Sequence, residues 1–246
     1  DRDWAWKIEG LLRHLQSHFY EANTALNLFE EARSRQASHF TREQWEADAE
    51  RISQIRREIE AEYGFDLSPE AWDRVSQEAD VRFKREKWSN GSVPQELERN
   101  VVSIYARAFV YALDGCDKFL AVRSKEQGVP EHMTGLAASM ETLFPDLRGV
   151  RNTTQHLEDR SRGLGAGRNP QPMQLQPIEN GFVHAPNGGV LILNSLNGNR
   201  FGCTMSDGHY GEVEVSAPSL QSLQQLLHDT LSSFNWRGPQ QHLPGA

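Results

Sequence analysis

The chain has little cysteine, no long apolar run and no excess of basic charge. Its two cysteines, Cys116 and Cys203, form no metal-type pair, so reduced thiols are expected. No run of about 18 apolar residues is present, which excludes a helical membrane span. The longest apolar helix candidate, over 101–113, is interrupted by Arg107. The opening Asp1-Arg2-Asp3 alternates in charge and lacks a signal-peptide pattern, so a cytoplasmic chain is expected. Lys and Arg number 26 against 34 Asp and Glu, a formal charge of −8. That balance argues against broad nonspecific nucleic-acid binding and leaves room for a local site. Gly163-x-Gly165-x-Gly167 follows a helical pattern and has no Lys-Ser/Thr after it, so it reads as linker, not phosphate loop. His14 and His18 have the i, i+4 spacing of a zinc pair but no third ligand, and neither a metal nor a cofactor is expected.

What is present is a dense polar stretch, Arg151-Asn152-Thr153-Thr154-Gln155-His156, flanked by Arg148, Glu158, Asp159, Arg160 and Arg162. The segment 146–168 holds five arginines against three acids, a local basic excess in an acidic chain. A helix over 147–161 sets Arg148, Asn152 and His156 along one face, at i, i+4 and i+8. A guanidinium grips phosphate through a planar fork and stays charged. An imidazole is the side chain suited to moving a proton near neutrality. Together they have the means to cut RNA without a metal. An exposed helix whose polar residues are merely solvated would carry the same residues.

Arg151-Asn152 followed by His156 resembles the Arg-polar-x(3–5)-His signature of HEPN-superfamily domains, over about residues 68–162. The resemblance implies a small helical bundle with the motif on a late helix. It also implies a metal-independent endoribonuclease of toxin–antitoxin or phage-defence type, with two protomers facing each other across a composite site. On that footing Arg151, Asn152 and His156 are the catalytic candidates, and Arg148, Asp114 and Asp159 support them. Asp114 stands for the acid that family members carry on an earlier helix to orient the motif; the plainer reading is a solvent-facing carboxylate. The implied partners are an RNA substrate, a second copy and an antitoxin or other protein, with no membrane. The family also has inactive members that only bind partners, so a noncatalytic dimeric interaction module is the alternative.

An α+β chain is expected, mainly a helical bundle with a C-terminal antiparallel β-meander and a helix. Ile8, Leu12, Leu15, Phe19, Ala22, Leu26 and Phe29 alternate at steps of four and three, as in a coiled-coil seam. Such a seam serves either dimerisation or packing within the chain. Thr41-x-x-Gln44 resembles a capping box and opens a second helix, with Trp45, Ile52, Ile55 and Ile59 on one face. The expected divisions are a helical part over 1–162, made of a hairpin (1–63) and a HEPN-like core (68–162). A Gly/Pro linker (163–177), a β-meander with its helix (178–236) and a tail (237–246) follow. Ser68-Pro69-Glu70 marks a helix start, with Trp72, Val75, Ala79 and Phe83 as its core face. The tryptophans mostly fall on apolar faces and are expected in the core. Val190–Leu193 reads as a central strand, and Asn197-Gly198 and Asp207-Gly208 as hairpin turns.

Overall fold

The computed structural model describes residues 1–38, 41–64 and 68–237; the expected tail lies, beyond Arg237, outside the described residues. The elements in order are α1 (Arg2–Ser38), α2 (Arg42–Tyr63), α3 (Pro69–Ser89), α4 (Gln95–Arg123), α5 (Met133–Leu143), α6 (Leu147–Gln155) and α7 (Leu157–Arg160), then β1 (Ile178–Glu179), β2 (His184–Ala185), β3 (Ser195–Asn197), β4 (Arg200–Thr204), β5 (Tyr210–Glu214) and α8 (Ala217–Ser232). The chain is mainly helical, with a small antiparallel sheet and a closing helix near the C-terminus. Two compact units form: Asp1–Phe29 with Ser103–Ala246, and Glu30–Val102. They do not part at 163–177, where the linker composition puts the division.

In the Glu30–Val102 unit the hairpin partner of α2 is α3, where the sequence pattern pairs α2 with α1. Thr41 caps α2 by accepting from the Gln44 amide, and Ser68 caps α3 by accepting from that of Ala71. Ile55 and Ile59 of α2 bury against Val75 and Ala79 of α3, with Phe83 packed alongside. Charge links the rims: Arg51 to Glu86 at 2.7 Å, Lys87 to Asp48 at 2.6 Å and Arg82 to Glu62 at 2.8 Å. Trp45, Trp72 and Trp88 stay 62%, 45% and 47% exposed, and Trp6 of α1 is 79% exposed. The core expected for these tryptophans is therefore corrected. The apolar seam between α2 and α3 is filled by Ile55, Ile59, Val75 and Ala79 with Phe83 beside them, and the indoles of α2 and α3 lie outside it.

In the other unit α1 runs antiparallel to α4. Trp4 donates its indole N–H to the Gln127 carbonyl at 2.7 Å, and His14 stacks on Phe119 with centroids 5.1 Å apart. His18 also meets Phe119 and bonds Glu21, so the histidine pair is used in packing. Every member of the α1 seam is buried, Phe19 and Ala22 completely. The seam is therefore spent on intramolecular packing and offers nothing to a second copy.

The three-stranded sheet has the order β3-β4-β5, all antiparallel. Gly198 and Gly208 take the left-handed turns, with φ of 61° and 88°. Val190–Leu193 is not a ladder strand, contrary to the sequence pattern. Ile192 bonds Thr204, donating to its hydroxyl and accepting from its amide, and Asn194, two residues on, turns left-handed at φ 49°. The Gly/Pro segment is also pinned. Leu164 bridges Pro172, and the Met173 amide donates to Gly163 at 2.7 Å. The buried Arg160 guanidinium donates to the Leu164 and Gly165 carbonyls at 2.7 and 2.5 Å. Composition signals a linker there, but one arginine supplies enough donors to fix it.

Candidate functional site

α6 lies on the sheet. Leu147, Val150 and Thr153 point inward at a spacing of three. Thr153 donates its hydroxyl to the Thr204 carbonyl at 3.2 Å, and Asp146 accepts from the Glu212 amide at 3.1 Å. A Cβ at Gly149 would run into the Met205 sulfur, so this glycine sets the close approach of helix and sheet. The β-unit, which carries no catalytic signature of its own, thus holds the helix that bears the motif.

The helix stops one residue before His156, and this corrects the continuous face expected over 147–161. Two threonines in sequence weaken the last turn, because their branched side chains crowd the preceding one. Thr154 turns its hydroxyl back to the Arg151 carbonyl at 2.7 Å, a bond that bends helices. The His156 amide is shared between the Asn152 and Thr153 carbonyls at 3.1 and 3.2 Å, and its backbone leaves helical geometry at φ −120°, ψ 43°. α7 restarts at Leu157. Arg148 and Asn152 keep their helical relation; His156 does not share it. Its side chain is 58% exposed.

Arg151 points the other way. Its side chain is 11% exposed, and one terminal nitrogen lies 2.7 Å from Asp114 Oδ2. The other donates to Asn152 Oδ1 at 2.8 Å and Gln155 Oε1 at 2.7 Å. Its Nε is buried without a partner. Asp114 is 5% exposed and also holds Lys118 at 2.7 Å, so the carboxylate faces inward and not toward solvent. The structure thus brings Asp114, Arg151 and Asn152 into one network. Arg148 stays outside it, 79% exposed and 3.9 Å from Asp117. Burial pushes the Asp117 carboxyl above its ordinary range, the Arg148 charge opposes this, and Asp114 and Glu141 add to it. Tyr111 of α4 lies 3.1 Å from the Thr154 hydroxyl, beside the motif.

Asp159, set among the supporting residues, pairs with Arg162 at 2.5 Å. The break also gathers His156, Glu158 and Asp159, whose ligand atoms all lie within 4.8 Å of one another. The sequence places Glu158 and Asp159 beside the motif, but their spacing from His156 in a continuous helix carries no metal-site signal. Lys118, Tyr111 and Gln155 were missed as well. Lys118 and Gln155 each carry a local signal, the i, i+4 spacing from Asp114 and from Arg151; Tyr111 has none. Both thiols are buried: Cys203 is pushed up to about 12 and Cys116 higher still, chiefly by desolvation, so neither is an activated nucleophile. No protein-family model matches the chain, and no curated protein or solved structure matches it.

Proposed function

We propose that the chain is a HEPN-like endoribonuclease acting through His156. The observation that carries this reading is the division of labour around the helix end. Arg151 is locked by Asp114 one turn before His156, while the imidazole is exposed, with Glu158 3.9 Å away. The His156 ring takes the proton of an RNA 2′-hydroxyl. The 2′-oxygen attacks the adjacent phosphorus, the bond to the 5′-oxygen breaks, and that oxygen leaves with a proton. The products carry 2′,3′-cyclic phosphate and 5′-hydroxyl ends. Arg151 is a positioning residue in this scheme, holding Asn152 and Gln155. Arg148 is the exposed cation available to phosphate. A second copy supplies the second proton-transfer group if one ring does not serve both steps.

The test is end analysis of RNA incubated with the chain in EDTA, beside His156→Ala. A positioned base contributes about 10²–10⁴-fold, so the variant should fall to background while its circular dichroism is unchanged. Cleavage that vanishes in EDTA, or survives in His156→Ala, overturns the reading. One observation favours the alternative of a noncatalytic interaction module: both terminal nitrogens of Arg151 are engaged by the chain's own side chains. Self-association by light scattering, with no RNA cleaved, would select that alternative.

A further inference from the structure

We infer that His156, Glu158 and Asp159 form a binding site for a divalent transition-metal ion of the zinc class. This goes beyond the ribonuclease reading and is measured by binding alone, so either stands or falls without the other. The donor set is one imidazole nitrogen and two carboxylates, a mixture that suits Zn²⁺ better than Mg²⁺ or Ca²⁺, which favour oxygen ligands alone. Among the described residues it is the one group of three such side chains whose ligand atoms lie within 4.8 Å of one another. Nδ1 of His156 is 3.9 Å from Oε1 of Glu158. Donors bound to one zinc at about 2.0–2.1 Å sit roughly 3.3 Å apart in a tetrahedron. The remaining closure is about 0.6 Å for this pair and at most about 1.5 Å for the others, and the exposed His156 and Glu158 side chains reach it by a change of rotamer.

The cluster exists because the helix breaks. In an uninterrupted helix, residues two apart point about 200° from each other, so positions 156 and 158 would diverge. With His156 turned out of α6, its ring comes over the first turn of α7. The present competitor for the site is the Arg162 guanidinium, which holds Asp159. A metal ion displaces that ion pair. Three protein ligands leave a coordination position open to water or phosphate, the pattern of a reactive centre and not of a structural one. An ion held there also occupies a nitrogen of the ring that the ribonuclease scheme uses for proton transfer.

Calorimetric titration of the full chain with ZnCl₂, MnCl₂ and MgCl₂ tests the inference, with circular dichroism to verify folding. One equivalent of Zn²⁺ should bind, with Mg²⁺ far weaker. Loss of groups that only orient a ligand already weakens metal sites by about 10–100-fold, so His156→Ala, Glu158→Gln and Asp159→Asn should each lose at least about tenfold. Arg162→Ala should bind more tightly, because Asp159 is freed. A His184→Ala/His209→Ala double variant should bind like wild type: those histidines each face a single acid, Glu179 at 3.5 Å and Asp207 at 3.3 Å. The inference is overturned if Zn²⁺ at millimolar concentration does not bind. It is equally overturned if binding survives His156→Ala, or if it is lost in the double variant.

Discussion

Asp114→Asn removes the charge that compensates Arg151, and its cost reports whether the buried pair is real. The substitution keeps the side-chain shape but turns a charge-assisted bond into a neutral one and leaves the guanidinium charge buried beside an Nε that already lacks a partner. Breaking a buried pair from one side costs about 3–5 kcal/mol. The lower end applies here. Arg151 keeps its bonds to Asn152 and Gln155, and Lys118, which shares the carboxylate, is 55% exposed and returns to water at little cost. A loss near 3 kcal/mol lowers the melting temperature by roughly 6–12 °C for a chain of this size class. Urea and thermal melts of wild type, Asp114→Asn, Arg151→Met and the double variant close a cycle. The double variant should recover much of the loss, since neither charge is then left alone. A cost below about 1 kcal/mol, the range of exposed pairs, would refute the buried-pair reasoning. Arg151 would then be free to act on phosphate directly.

Arg123→Met should stabilise the chain. Arg123 is 1% exposed and has no carboxylate partner among the described residues; its guanidinium donates to the Met133 sulfur and lies over the Phe234 ring. Desolvation lowers it to about 10, a cost of about 3 kcal/mol. The ring contact returns roughly 1–2 kcal/mol. The net gain expected from thermal melts is about 1 kcal/mol, and a clear fall in melting temperature would refute it. Asp117→Asn should stabilise at neutral pH only. A carboxyl whose folded pKa is raised contributes stability below its usual value of 3.8, and that contribution is lost as pH climbs through the folded value. The gain from asparagine should therefore be present at about pH 7 and absent at about pH 3 in urea melts. An equal gain at both, or a loss at the higher pH showing that the Arg148 contact dominates, would contradict the assignment.

Elements were legible where one local rule governed them. The caps at Thr41 and Ser68, the buried spacing of α1 and the turns at Gly198 and Gly208 all follow from residue type and period. Partner choice was not legible. The seam of α1 looks the same whether it faces α4 or a second copy, because a period of apolar residues says that a face is buried and not against what. The exposed tryptophans show the same gap. Trp72 sits at core spacing from Val75 and Ala79, yet two helices of this length close their seam with the smaller side chains and leave the indole outside.

The candidate site divides along the same line. Helical periodicity selected Arg148, Asn152 and His156 as one face, and the structure puts His156 off that face, because Thr154 spends its hydroxyl on the Arg151 carbonyl. A side chain bonded to its own backbone accompanies the end of the helix there, and no period reveals it. The consequence reaches both readings of the site. A helix that ran on would keep the histidine in register with Arg148 and point Glu158 away from it; the break exposes the ring and draws Glu158 and Asp159 toward it. The opposite side of the same turn is set by Asp114, a residue from a helix distant in sequence, which draws Arg151 inward. The motif is therefore split by forces of different range. A long-range ion pair fixes the arginine inside while the histidine and its neighbouring acids stay at the surface, so the exposed half of the motif holds the groups open to solvent and the buried half keeps the helix in place.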